Sequence, residues 1–536
     1  MSIPGGTEPD GPDPTRADPA WVERSPELLR PAGRTRRWWV LGPAAVLVVV
    51  AAGAGFAAGT VVGGGGTQPE DVLPDTVLAY ADIDLDPAAE QKVNLIRLLG
   101  EFRGVEREYG SEPDLRTLAV DWLVNGSDLE GADVEAWVGD RAGFGLSWDL
   151  STEALTPVAA VQVTDEQEAV ADLRRALGPE QVAAVDGYVV VTGDLFEEFD
   201  ALDSLDGVVQ SELPGSQTAA EVVAAGQAAP LAQSEAFTSV FDRLDDGVLT
   251  TYLDGERLAT AGEEVAGSLG VFGPAIGDSL VGVAESGRAG AVLRAEPNAL
   301  EVLAWTSVAP QGDGQAASLM TTLPASTLLA LEFTGGSELV ADRWEMALAD
   351  ISGQGSSANE FERELAKIEA QYGVRLPADL ETLVGDDVVI AVEGAGLLTG
   401  IPGIGLRSVT DPAAGAELAS RIEDRLASLT GGFGVTADGT NDGLVVASTD
   451  DYANQLASGD GKLGADPTFT EALPDAGAAT NLVWVDFSGV KGFATLAAPE
   501  SAGLIEPLDA FGLTVTPDAG GSLTRARLVF DAGKSS

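Results

Sequence analysis

The chain reads as an α+β protein written twice: a tandem duplicated, mainly antiparallel sheet with helices on one face, preceded by a single transmembrane helix. Three observations predict this. Residues 38–62 are apolar for 25 positions without a charged side chain, enough to cross a hydrocarbon core of about 30 Å at about 1.5 Å per residue. Beyond that run, sequence segments recur at fixed offsets. Short strand-like stretches also mix with amphipathic helices without strict βαβ alternation, the pattern of a sheet covered by helices.

Taken in order, residues 1–37 carry Gly5, Gly6, Pro9, Pro12, Pro14 and Pro19 among polar residues and read as a disordered cytoplasmic leader. Arg34, Arg36 and Arg37 abut the apolar run, which sets the N-terminus inside and the remainder outside the cell membrane. A leader this long and a run this apolar argue for a signal anchor over a cleaved signal peptide, although Ala57, Ala58 and Gly59 offer a cleavage site. Ala51, Gly55, Gly59 and Gly63 fall on one helix face, a surface through which two spans could form a homodimer. Residues 63–72 then read as a linker, 73–310 as extracytoplasmic repeat one, 311–322 as a second linker and 323–533 as repeat two.

The duplication is explicit. Residues 132–140 (ADVEAWVGD) recur at 378–386 (ADLETLVGD), and Val163-Thr164-Asp165 recurs as Val409-Thr410-Asp411, both at an offset of 246. Leu73-Pro74 matches Leu323-Pro324 at an offset of 250, while Phe237, Thr238 and Asp254 match Phe469, Thr470 and Asp486 at 232. Each copy then gives the same elements. Alternation predicts strands at 77–83 and 327–333, each followed by a helix, with Asp86 or Ser337 as N-cap. Short helices over 133–137 and 379–383 end at Gly139 and Gly385. Strands follow at 142–148 and 388–392, then at 158–163 and 404–409. Asp165 and Asp411 cap the next helices, with Glu168 completing a capping box in the first copy and Pro412 opening the helix in the second. Strands at 188–191 and 444–447, then 249–253 and 482–487, close each copy.

A single N-terminal span, a Leu-Pro opening before Thr76 and Thr327, and a repeated Val-Gly-Asp resemble the actinobacterial membrane proteins grouped as domain-of-unknown-function family 3352. The resemblance covers roughly residues 40–535. It implies topology and source, and it supplies neither a function nor site residues.

Composition excludes more chemistry than it offers. Absence of histidine and cysteine removes His-dependent triads, thiol catalysis, zinc sites with N/S ligands, haem, iron–sulfur clusters and disulfides. Net charge is −55; the leader holds six acids and six bases, so the region beyond carries 79 acidic against 24 basic residues. Such a surface repels phosphate backbones, and no nucleic-acid partner is expected.

Carboxylates are the remaining catalytic tool. Asp82, Asp84 and Asp86 alternate along a predicted strand but lack the glycine and bidentate Glu of a calcium loop, since Pro87 and Val93 stand there. Asp140 and Asp386 recur after a glycine and could be a general acid and base facing each other, or turn aspartates repeated by duplication. The glycine-rich stretch 394–405 lacks the Lys-Ser/Thr of a phosphate loop. The acidic run 194–206 reads as exposed, and Asn125-Gly126-Ser127 as a silent glycosylation match. No catalytic, cofactor-binding or metal residue is assigned, and no cofactor is expected.

Two apolar stretches, 265–281 and 493–513, read as partly helical and could line a lipid cavity or fill the core. The expectation is therefore a non-enzymatic, membrane-anchored extracytoplasmic binding or scaffolding module of the cell envelope with a protein or lipid partner. Its alternatives are a lipid- or glycolipid-binding pocket between the repeats and a carboxylate-dependent polysaccharide hydrolase.

Overall fold

The computed structural model describes residues 66–102, 134–149, 154–193, 217–258, 260–261, 287–310, 315–352, 363, 365–367, 369–370, 373–394, 402–429, 436–491 and 505–531. The leader 1–37, the apolar run 38–62, the acidic run 194–206, Asn125, 265–281 and 493–504 lie outside them. Among the described residues no helix is long and apolar enough to cross a membrane.

Half one contains α1 (Pro69–Val72), β1 (Val77–Asp84), α2 (Ala89–Gly100), α3 (Val134–Trp137), β2 (Val138–Asp149), β3 (Ala154–Val163), α4 (Glu166–Ala176), β4 (Val182–Val185) and β5 (Tyr188–Thr192). It ends with α5 (Ala219–Ala228), α6 (Glu235–Phe241), β6 (Leu249–Asp254), β7 (Arg288–Ala295) and β8 (Ala299–Thr306). Half two opens with a 3-10 turn, Met320–Thr322, and continues through β9 (Thr327–Thr334), α7 (Gly336–Ser352), α8 (Ala378–Val384), β10 (Asp387–Glu393), β11 (Ile404–Val409), α9 (Pro412–Leu429), β12 (Thr436–Gly439) and β13 (Gly443–Ala447). Then come α10 (Asp450–Ser458), α11 (Pro467–Ala472), β14 (Asn481–Asp486), β15 (Leu508–Asp518) and β16 (Gly521–Phe530).

Among the described residues sixteen strands form one antiparallel sheet. From its free edge inward, half one runs β4-β5-β3-β2-β1-β6-β7-β8, and half two runs β12-β13-β11-β10-β9-β14-β15-β16. The order is the same in both, and β8 pairs antiparallel with β16 from Thr306↔Ser522 to Ala299↔Val529. The halves are thus related by a pseudo-twofold axis through that strand pair.

Helices occupy both faces, where the sequence pattern suggests one. On the front face Val190 and Tyr188 pack under α5 and α6, while the neighbouring Val189 and Val191 point back toward Ala169 and Leu173 of α4. Half two repeats this: Val445 and Ala447 face α10 and α11, and Leu444 meets Leu418 of α9 behind. The physical reason lies in runs such as Tyr188–Thr192 and Gly443–Ala447, which are apolar without alternation and therefore need cover on both sides.

Two front cores, one per half, are separated at the junction by charge. Glu301 of β8 is buried and accepts from Arg525 (2.7 Å) and Arg527 (2.8 Å) of β16. Behind the same strands a single apolar core, with Leu300, Val302, Ala526 and Leu528 beneath Leu95 and Leu98 of α2, crosses the junction without interruption.

Several local expectations need correction. Helix α2 starts at Ala89 with Ala88 at its N-cap, and Asp86 does not cap it, because Asp84 holds the turn by accepting the Asp86 N–H at 2.8 Å. Ser337 lies inside α7 and donates to Asp386 at 3.2 Å. Gly139 sits within β2, whereas Gly385 caps α8 at φ +58°. Asp165 accepts from the Glu168 N–H at 3.0 Å as expected, and Asp411 from those of Ala413 and Ala414. Residues 508–513, read as part of a helical stretch, are strand: Leu508 to Asp518 alternate as β15 and form a hairpin with β16.

Candidate functional site

The predicted acids do not converge. Asp82 and Asp84 are both on β1, but Asp84 is committed to Arg141 at 3.2 Å. Asp86 is exposed and paired with Lys92 at 3.0 Å. Among the described residues no group of three or more acidic side chains is arranged to hold a metal ion. Asp140 is in β2 and Asp386 precedes β10, with eight strands between. At about 4.8 Å per strand they stand roughly 40 Å apart along the sheet, far beyond the roughly 5–10 Å a carboxylate pair needs to share a glycosidic bond. Each serves its own turn: the Asp140 backbone links Gln162 and Leu85, and the Asp386 N–H donates to Val409. Asp254 and Asp486 behave alike, accepting N–H groups from the helical turns that follow β6 and β14.

Pattern reading missed two buried acid sites at equivalent positions of the halves. Asp82 sits opposite Gly143 on β2 and Thr250 on β6, and Glu332 opposite Val389 on β10 and Leu482 on β14. Those partners differ by the same offsets as the repeats, so Glu332 is the counterpart of Asp82. In half one the Tyr80 hydroxyl donates to Glu70 Oε2 at 2.8 Å. Glu70 belongs to α1 and is buried. Burial pushes its carboxyl up to about 7, against its own N–H and the Tyr80 hydroxyl, which favour the charged form. Asp82 is raised well above the usual range by burial and by the Glu70 charge, and its Oδ1 is sealed from solvent without a partner.

In half two the neighbour differs. The position of Arg141 is taken by Asp387, offset 246. Glu332 and Asp387 are both buried, and the Glu332 carboxyl is pushed up to about 8 by burial and by the Asp387 charge. Asp387 is raised too, by burial, although Glu332, Ser318 and Arg407 favour its ionised form. The signal that could have found these sites is an acid at the core-facing phase of a strand: Glu332 alternates with Ala330 and Leu328, all buried.

A second feature lies on the back of half two. Leu329 and Leu331 on β9, Ile390 on β10 and Ile404 on β11 are 37–49% exposed. Val483 and Val485 on β14 stand beside Leu331 and Leu329 and are half-buried. Register places all six on one face, a contiguous apolar floor between α9 and α2. Ordinary surfaces scatter such side chains singly.

Comparison with family models, with curated proteins and with solved structures returned no match for this chain.

Proposed function

We propose that the chain is a single-pass, membrane-anchored extracytoplasmic module of the bacterial cell envelope that binds a partner through surface contact and performs no catalysis. The observation that carries this reading is the apolar floor of Leu329, Leu331, Ile390 and Ile404. A contiguous exposed apolar face marks an interaction surface, and the separated, turn-bound carboxylates argue against a hydrolase.

The occupant we favour is the acyl part of an envelope lipid. The six floor residues carry no charge in a chain whose net charge is −55, which selects a neutral apolar partner over a charged one. An anchor at 38–62 would also hold the domain beside such lipids. The surface belongs to half two and is not a cleft between the repeats. Likeness to family 3352 stays a proposal about origin.

A photo-reactive side chain at position 331 of the full-length protein in its native membrane tests this, with position 93, 65% exposed in half one, as control. An adduct of lipid mass on the peptide containing residue 331, absent at 93, is expected. A cross-linked dimer, a cross-link to another protein or one within the chain would overturn the lipid assignment.

A further inference from the structure

The segment entering half two is held by two carboxyl groups. Leu319 N–H donates to Glu332 Oε1 and Met320 N–H to Glu332 Oε2, both at 2.6 Å. Ser318 gives its N–H and its hydroxyl to Asp387 Oδ2, both at 3.1 Å. Four donors from three consecutive residues thus bind this segment to β9 and β10, where Glu332 and Asp387 are diagonal neighbours: Val389 opposes Glu332, and Asp387 opposes Thr334. Glu332 is 1% exposed and Asp387 7%.

Asp387 Oδ1 receives no hydrogen bond and no solvent. The facing cation, Arg407 of β11, binds the Leu456 carbonyl at 3.1 Å and Asp442 at 2.8 Å; its Nε has no partner, and its charge favours ionised Asp387 without bonding to it. Thr334, buried opposite Asp387, adds a hydroxyl that is itself without a partner, and Ala330, Val389 and Met320 are apolar. Two adjacent carboxylates cannot both stay ionised there without a further cation. A proton on Glu332, directed at Asp387 Oδ1, resolves the repulsion and satisfies the orphan oxygen together.

We infer that Glu332 and Asp387 share one proton, and that this pair is a pH-sensitive clasp on residues 318–320, the segment that joins the two halves. Burial and the neighbouring charge, which push Glu332 up to about 8, agree with the geometry; the bound proton belongs to the pair. Opening the clasp returns Glu332 to its ordinary 4.5. The closed form therefore binds the proton more tightly, and its advantage is whole below about pH 4.5 and is lost as pH rises through about 8. The device is independent of what the apolar floor binds.

Hydrogen exchange of the full chain, corrected for intrinsic rates, tests the inference. Protection of the Leu319 and Met320 amides should fall by up to about tenfold per pH unit between roughly pH 5 and 8 and level off above, the slope of one proton. Val445, in the sheet interior of the same half, serves as reference. In Glu332→Gln, whose amide can donate to Asp387 at any pH but whose single oxygen accepts from only one of Leu319 and Met320, the slope should vanish while protection of the amide still bonded persists. A wild-type profile parallel to that of Val445 overturns the inference whether or not the variant folds. So does a slope that survives in Glu332→Gln.

Discussion

Placed over one another, the two halves keep their strand order and exchange their charges. The first strand of each carries an acid on its core-facing side, half-buried Asp82 or buried Glu332. Half one sets Glu70 of α1 and Arg141 of β2 around it, whereas half two has Met320 and Asp387 at those positions. An ion pair, Arg141 with Asp84, therefore stands where half two holds a carboxyl pair. The back face diverges as well: Leu329, Leu331 and Val483 replace Ala79, Ala81 and Thr251. Duplication preserved the backbone and the turn aspartates, while the paired positions drifted together because a buried charge is tolerated only with its partner.

The junction shows the sharpest asymmetry and should give the largest effect. Across the pseudo-twofold axis Glu301 corresponds to Leu523, Leu303 to Arg525 and Trp305 to Arg527. A symmetric pair of strands has here been made complementary: Glu301 meets Arg525 and Arg527, with Asp475 on the far side of Arg525 at 2.7 Å. Glu301→Ala removes the shared acceptor of two half-buried guanidinium groups, of which Arg525 keeps Asp475, and should cost about 3 kcal/mol, the low end for breaking a buried pair. Urea unfolding of the variant should also lose the single transition expected when one back core spans both halves; a cooperative curve of unchanged midpoint would show that the apolar side alone joins them.

Next in size is the pH response of half one. Glu70 is raised from 4.5 to about 7, so the folded chain binds that proton more tightly than the unfolded one. Its contribution is complete below about pH 4.5 and disappears as pH rises through about 7, a loss on the order of 3 kcal/mol. Melting temperatures of wild type and Glu70→Gln should run together near pH 4.5, where both side chains are neutral, and separate toward pH 7 as wild type alone loses stability. Parallel curves would mean that Glu70 is ionised in the folded chain.

Smaller effects come from features already legible in sequence. Asp165 accepts one N–H of its helix, and Asp411 accepts two. Each change to Ala should cost about 1 kcal/mol, more for Asp411, measured by denaturant midpoint; equal costs would remove the extra hydrogen bond as the cause.

Those caps, the repeat and strands such as Ile404–Val409 were readable because they depend on residues near one another in sequence. Register was not. Pairing of Glu301 with Arg527 and of Leu331 with Ile390 and Val483 joins positions distant in the chain, so neither the charged junction nor the apolar floor has a local signature. Composition misled for β15, whose Leu508–Leu513 segment resembles a helix until Ala526, Arg527 and Leu528 are seen opposite it. The acid site of half one has no local signature either, because Glu70 meets Tyr80 only once α1 packs against the sheet.

Least energetic, yet most telling about function, is Leu331→Glu. The side chain is 39% exposed, so on an open floor the charge reaches water and stability should stay within about 0.5 kcal/mol of wild type. The same charge in the middle of an acyl-binding surface should abolish lipid capture by a photo-reactive group placed at neighbouring position 329. A destabilisation of several kcal/mol would instead mean that other parts of the chain close over the floor in the folded protein, because only a buried charge without a partner costs that much. The contrast with half one sharpens the point. Ala81 occupies the matching place there, and Ala81→Leu, which rebuilds part of the floor on the other half, should confer no lipid capture unless the surrounding Leu329, Ile390 and Val483 are supplied with it.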